Sequence, residues 1–187
     1  MICGIDEAGR GPLAGPVYAA TVVLNDDFPC NLLNDSKKLS ASKREELRKL
    51  ICEKALAWGI GWASHEEIDS INILQASLLA MKRAFEEMLK TFPSALLQNI
   101  SAIVDGNKVP DISVPCTAMV KADAKVHEVM AASILAKTAR DSYMEEMAKL
   151  YPQYEYEKHK GYPTKAHREL IHKYGPSPIQ RLTFTVK

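Results

Sequence analysis

The order of short apolar runs and helix-period stretches constrains this chain more than any other feature. Five runs read as strands: 2–6, 17–24, 57–63, 102–105 and 113–120, of which 17–24 has the β-branched content of a buried strand. The first two are close enough to pair as a hairpin with a long glycine-rich tip. Pro115 demotes the start of the fifth to an edge or bulge. A capping box at Ser42 and Glu45 predicts a first helix carrying Leu47, Leu50, Ile51 and Ala55. Leu74, Leu78, Met81, Phe85 and Met88 form one stripe of a second helix, from about Asn72 to Lys90, which Pro93 stops. A long helix is predicted over about 125–149, and a last one near 164–173, closed by Gly175. A β-rich start followed by strands alternating with helices predicts an α/β protein with a mixed sheet and helices on its faces.

The 187 residues suffice for one domain, and at that size roughly 70 % of the unfolded surface can be buried. Net charge is +1, so a polyanion partner must be met by local basic clusters. Cys3, Cys30, Cys52 and Cys116 form no C-x-x-C pair, which predicts free thiols in a reducing compartment. Asp6, Glu7 and Arg10 interrupt the N-terminus too early for a signal peptide. No apolar run approaches the roughly 20 residues that span a bilayer. A cytoplasmic protein with no membrane partner is expected. No sustained apolar stripe demands an oligomer, so a monomer is expected.

Acid placement carries the chemistry. Two of the apolar runs end in carboxylates, Asp6–Glu7 and Asp105, and Asp123 follows the fifth run just before the long helix. Carboxylates at the ends of core strands are held rigidly yet face a crevice. If they converge, their repulsion is resolved by a hard divalent cation, and all-oxygen ligation suits Mg²⁺ or Mn²⁺. Two such ions serve phosphodiester hydrolysis. Neighbours on a strand point to opposite faces, so Asp6 and Glu7 are expected to share a site only if the strand stops at Asp6. Each acid taken singly is as well explained by solvation, and Asp123 by capping of the helix that follows.

The loop 4–16 (GIDEAGRGPLAGP) is the second signal. Its glycines let backbone approach a ligand closely, and Arg10 adds a fork suited to phosphate. Ala14 and the strand that follows argue against a dinucleotide fingerprint, which needs a third glycine and a helix. Lys37 and Lys38 lie in a polar loop. Lys158, Lys160, Lys165, Arg168 and Lys173 cluster near the C-terminus with only Glu169 opposing them, either as a phosphate patch or as an ordinary solvated face. His159 within that cluster is placed to touch phosphate. Tyr162, between Gly161 and Pro163, either stacks on a sugar or base or anchors its loop.

Together these segments resemble the bacterial ribonuclease HII family, the type 2 ribonucleases H. The matching stretches are GIDEAGRGPLAGP at 4–16, LNDSKKLS at 33–40, IDSINIL at 68–74, VDGN at 104–107, VKADAK at 120–125, AASILAK at 131–137 and HKGYPT at 159–164. They occur in family order over nearly the whole chain. The resemblance implies a ribonuclease H-like fold with a central five-stranded mixed sheet flanked by helices and a small helical C-terminal part. It implies one catalytic domain over 1–187, with roughly 150–187 as a substrate-binding appendage. It implies that Asp6, Glu7, Asp105 and Asp123 are the catalytic, metal-binding quartet. Gly9, Arg10 and Gly11 match the loop that contacts the 2′-hydroxyl side of a ribonucleotide. Tyr162 matches a tyrosine at the junction nucleotide, and Lys37 and Lys38 match residues near the nucleic-acid backbone. The implied activity is endonucleolytic cleavage of RNA in RNA–DNA hybrids, and incision 5′ of ribonucleotides embedded in duplex DNA, leaving 3′-hydroxyl and 5′-phosphate ends.

Two departures stand out. Ala122 replaces a common glycine, and in the tail 179–184 only Arg181 and Phe184 correspond to the family's basic stretch and its Ser-Phe. A ribonuclease HIII-like enzyme is the nearest alternative, disfavoured because nothing precedes Met1 that corresponds to its substrate-binding N-terminal domain. A non-catalytic hybrid-binding module would require one of the four acids to be missing, and all four are present.

Overall fold

The computed structural model describes residues 1–34, 36 and 38–186. Five strands form one sheet: β1 (Ile2–Ala8), β2 (Val17–Leu24), β3 (Ala55–Ala63), β4 (Ser101–Asp105) and β5 (Cys116–Met119), in spatial order β3-β2-β1-β4-β5. The β1–β2 and β2–β3 pairs are antiparallel, whereas β1–β4 and β4–β5 are parallel. The mixed sheet expected from the sequence is therefore present. The fifth strand is shorter than 113–120 because Pro115 precedes it and only its carbonyl joins the ladder, accepting from Ala102 N.

Helices cover both faces. Helix α1 spans Ala41–Lys54, α2 His65–Leu89 and α3 His127–Leu150. Odd-numbered residues of the hairpin, Cys3, Ile5, Val17, Ala19 and Val23, pack with Ala80, Ala84, Phe85 and Met88 of α2. Ala20, Val22 and Leu24 point the other way, toward Leu47 and Ile51 of α1 and Ile134 and Leu135 of α3. Close approach of α2 to β3 requires glycine. A Cβ at Gly59 would lie 2.3 Å from the Ala84 carbonyl oxygen, and one at Gly61 2.4 Å from that of Ala80.

Two helix starts differ from expectation. The first helix is capped by Ser40, whose hydroxyl accepts from Lys43 N at 3.2 Å, while Glu45 is engaged by Arg48 at 2.7 Å. The capping box at Ser42 and Glu45 does not form. Helix α2 starts at His65, behind a complete capping box of Ser64 and Glu67. Asn72 interrupts it with φ 68° and ψ 163°, and its Oδ1 accepts from Leu74 N and Gln75 N. The expected start at Asn72 is thus a second start, behind a short preceding helix. An asparagine side chain offers the cap that the broken ladder needs.

The C-terminal part contains α4 (Tyr156–His159) and α5 (Lys165–Tyr174), tied to α3 by Ala14, Met144, Ala148, Tyr154, Tyr156 and Ile179. His159 is buried here rather than offered to phosphate. Its ring stacks on His167 at 4.2 Å, both edge-on to Tyr156. His159 Nε2 donates to the Tyr154 carbonyl at 2.9 Å, and its Nδ1 accepts from Gly161 N at 3.2 Å. His167 Nδ1 donates to the Tyr162 carbonyl at 3.0 Å. The two rings therefore fix the turn that carries Tyr162. Among the described residues, no helix is long and apolar enough to cross a membrane.

Burial and the neighbouring His159 push His167 down to about 4, below the ordinary histidine value of 6.5. The folded state excludes a proton that the unfolded chain accepts. The corresponding stability is complete above the unfolded value and is lost as pH falls from it toward about 4. Acidification from about pH 7.5 to about pH 5 is expected to lower the melting temperature. In His167→Gln the slope of Tm against pH over that window should flatten; an unchanged slope would show that His167 is not the group responsible.

Candidate active site

The parallel register of β1 and β4 brings two acids together. Ile5 pairs with Val104, so the next residues in each strand, Asp6 and Asp105, stand side by side one strand spacing apart. The third acid arrives by a different route. After β5 the chain turns at Lys121, with φ 60°, into a single 3-10 turn, Ala122–Ala124. Asp105 Oδ1 accepts from Ala122 N at 2.7 Å and so pins the turn that presents Asp123. Ala122, the departure from a common glycine, is fully buried. Carboxylate oxygens of Asp6, Asp105 and Asp123 all lie within 4.8 Å of one another.

Glu7 sits differently. Strand β1 does not stop at Asp6 but runs on to Ala8, with Glu7 opposite Ala19 of β2. Alternation puts Asp6 on the α3 face and Glu7 on the α2 face. Both nevertheless line one cleft of 240 Å³ with Asp105. They can because pairing with β4 ends at Ile5, leaving the end of β1 with a neighbour on one side only. The expectation that Glu7 belongs to the loop is corrected: an open sheet edge, not the end of the strand, gives it access. Its carboxylate is drawn to Arg10 at 3.5 Å and is not part of the aspartate cluster.

Burial first, then the neighbouring Glu7, push the Asp6 carboxyl well above the usual carboxylate range; a hydrogen bond from Ser133 opposes them, and Asp105 adds to the rise. Glu7 is also raised by burial, with Arg10 opposing. The basic residues described in the cleft are engaged with other acids, Arg10 with Glu7 and Lys137 with Asp141 at 2.8 Å. Three crowded carboxylates, at least one resisting ionisation, make a donor set of hard oxygens. Such a set fits a divalent cation of the Mg²⁺ or Mn²⁺ type.

The other wall is the loop after β1. Gly9 and Gly11 line the cleft with Arg10 and Tyr162. Gly9 has φ 100°, and a Cβ there would meet Arg140 Nε at 2.1 Å. The Tyr162 ring, 37 % exposed, has Lys137 Nζ and Arg140 Cζ each 5.6 Å from its centre. Ser36 closes the cleft from the 33–40 segment, its hydroxyl 2.9 Å from that of Ser133. Lys38 is exposed outside the cleft lining, and Lys37 lies outside the described residues.

The C-terminal basic cluster is more neutralised than the sequence suggested. Lys158 meets Glu155, three residues before it, and Lys160 meets Glu145 of α3, each at 2.8 Å. Arg140 carries no signal of its own in the sequence, and Ser133 and Lys137 stand out only as members of the AASILAK stretch. Arg181 reads in the sequence only as the remnant of a basic tail. It is instead fully buried and donates to carbonyls of the glycine-rich loop.

The family model described as Ribonuclease HII matches residues 3–187. The chain is 57 % identical to ribonuclease HII of Treponema denticola, over 100 % of this chain and 99 % of that protein. It is 50 % identical to ribonuclease HII of Dechloromonas aromatica, over 98 % of this chain and 90 % of that protein. Ribonuclease H2 from Pyrococcus horikoshii superposes with a TM-score of 0.75 at 27 % identity, covering 99 % of this chain and 94 % of that one. The ribonuclease HII of Archaeoglobus fulgidus, solved in complex with PCNA, superposes with a TM-score of 0.77 at 26 % identity, covering 100 % and 96 %. The fold is also shared with a ribonuclease HIII in complex with Mn²⁺, at a TM-score of 0.77, 17 % identity and coverage of 99 % and 67 %.

A carboxyl raised by folding favours the folded state when protonated. That contribution is lost as pH rises from the unfolded value through the folded one, so at neutral pH the acid cluster opposes folding. Without divalent cation, Asp105→Asn is therefore expected to melt at or above wild type near neutral pH. Added Mg²⁺ or Mn²⁺ should raise the wild-type Tm and move the variant far less. Equal metal-induced shifts in the two proteins would remove Asp105 from the site.

Proposed function

The chain belongs to the ribonuclease HII family and is an endoribonuclease, and from that premise we propose how this cleft acts and on what. Its substrates are the RNA strand of RNA–DNA hybrids and single ribonucleotides embedded in duplex DNA, incised on their 5′ side. The observation that carries this reading is one cleft with two different walls. One wall carries Asp6 and Asp105, with Asp123 clustered beside them, and the other is the glycine-rich loop with Arg10 and Tyr162. The first suits metal-assisted hydrolysis of a phosphodiester, and the second suits close inspection of a sugar.

Asp6, Asp105 and Asp123 would hold the cation, with Glu7 beside them able to ligate once released from Arg10. Bound there, divalent cations, two in this proposal, would supply Lewis acidity for activating water and stabilising the leaving oxygen. The protein's own residues do the rest. Ser133 and the Glu7 N–H, 2.7 Å from Asp6 Oδ1, orient the Asp6 carboxylate. Ala122 N orients Asp105. The loop 9–11 approaches the ribose, and Arg10 and Lys38, with Lys37, meet phosphates. The Tyr162 ring packs on the junction nucleotide. The residues after about 150 form the part of the domain that carries this contact. Hydrolysis breaks the bond between phosphorus and the 3′ oxygen of the preceding nucleotide. That nucleotide keeps a 3′-hydroxyl, and the phosphate stays on the 5′ side of the ribonucleotide.

Wild-type protein should cut both a full RNA–DNA hybrid and a DNA duplex holding one ribonucleotide, in Mg²⁺ and in Mn²⁺. Binding both without cutting either would favour a non-catalytic module. Asp105→Asn should lower cleavage about 10³-fold or more while leaving duplex binding largely intact. Tyr162→Ala and Arg10→Ala should each lower kcat/KM on the single-ribonucleotide duplex about tenfold. Wild-type rates in those two variants would refute the recognition roles.

A further inference from the structure

The buried guanidinium of Arg181 donates to five backbone carbonyls. Nε reaches Gly15 O at 2.8 Å; Nη1 reaches Arg10 O at 3.0 Å and Pro12 O at 2.8 Å; Nη2 reaches Gly9 O at 2.6 Å and Pro16 O at 3.2 Å. Five acceptors match the five N–H donors of a buried guanidinium, and all of them lie between residues 9 and 16. Peptide planarity gives it a consequence. In a trans peptide the C=O of one residue and the N–H of the next point in opposite directions. Drawing the Gly9 and Arg10 carbonyls inward onto Arg181 therefore turns the N–H groups of Arg10 and Gly11 outward. Both residues line the cleft. The same rule is obeyed one step on: the Pro12 carbonyl faces Arg181 and Leu13 N points away, to Gly161 O at 2.8 Å.

Arg181 is itself held from outside the loop. The two residues that follow it are caught by Asp69 in the short first segment of α2. Leu182 N donates to Asp69 Oδ2 at 2.8 Å and Thr183 N to Oδ1 at 3.0 Å, and the Thr183 hydroxyl adds a third bond. Gln180, on the other side, bridges to Ala14, and the Phe184 ring lies 5.1 Å from the guanidinium. Asp69 thus latches a strap whose only buried charge reaches the underside of the loop.

We propose that Arg181, latched by Asp69, is a positioning residue for ribose selection: it orients the Arg10 and Gly11 N–H groups as donors to the 2′ oxygen of the ribonucleotide. It touches no substrate and acts through the loop. The inference rests on the function proposed above, and its test separates the two. Two duplexes are compared, one with a single ribonucleotide and one with a 2′-fluoro nucleotide at the same place, fluorine being a poor acceptor. Wild type should prefer the ribonucleotide. Arg181→Lys cannot reach five carbonyls with one ammonium, and its preference, as a ratio of kcat/KM, should fall about tenfold. Asp69→Asn keeps the guanidinium and weakens the latch, so its preference should fall less, about threefold. Guanidinium ion added to Arg181→Gly should restore the preference in part.

A residue that only stabilises the fold would lower Tm and kcat on both duplexes alike, with the ratio unchanged, and that result in folded Arg181→Lys overturns the proposal. If Arg181→Lys does not fold, Asp69→Asn decides, and an unaltered ratio there overturns it equally. A wild-type protein that cuts neither duplex refutes the proposed function itself.

Discussion

The parallel pairing of β1 with β4 is the constraint on which the rest of the molecule depends. It puts Asp6 beside Asp105 with no further device, because consecutive positions in a parallel ladder advance together. It also buries the site, since a parallel pair has to be crossed over by helices on the sheet faces. Helix α3 lies so close to β1 that a Cβ at Gly4 would fall 2.1 Å from the Glu128 backbone. From that position α3 supplies Ser133 to Asp6 and Lys137 to the cleft. The hairpin partner β2 then carries β1 on past β4, and the unpaired edge this leaves is where Glu7 gains the cleft.

Two charge arrangements of opposite sign are held side by side. On one wall, buried Asp6 and its neighbour Glu7 resist ionisation. Behind the other, Arg140 and Arg181 are buried without a carboxylate partner among the described residues. Each guanidinium is instead solvated by main-chain carbonyls, Arg140 by those of Pro16, Lys160 and Ala14. A fixed fork of donors suits that task, and an ammonium on a flexible stem does not. Arg140 joins the loop to the Lys160 carbonyl and also packs on Tyr162, so the loop, the tyrosine and the long helix are one rigid unit. Preorganisation of this kind holds recognition groups in place before a ligand arrives.

Much of this was legible from residues. Asp6, Asp105 and Asp123 could be picked out only as a set, each in or just beyond an apolar run; singly, each reads equally as a solvated acid. The loop 9–11 could be picked out because a hairpin tip explains one or two glycines but not Arg10 beside them. Helix starts were less legible, since Ser40, Ser42 and Ser64 are all competent caps and local composition does not rank them. Asp69 and Arg181 were illegible as partners: they are 112 positions apart, and nothing in either segment points to the other. The basic C-terminal cluster was over-read in part for the same reason: Glu145 reaches Lys160 only in the folded chain, whereas Glu155 is a local partner of Lys158, three residues before it.

The sequence by itself determined the elements and the chemistry on offer: apolar runs of strand length, helix-period stretches, four acids and a glycine-rich loop. These are local properties, set by side-chain periodicity and backbone freedom, and they survive without knowledge of what packs on what. Only the tertiary structure decided which of those groups act together. Register put Asp6 beside Asp105, an open edge admitted Glu7 while leaving it outside the aspartate cluster, burial took His159 away from any phosphate, and a tail arginine became the support of the loop. Each of those outcomes depends on contacts between segments far apart in the chain, and a local pattern carries no information about them.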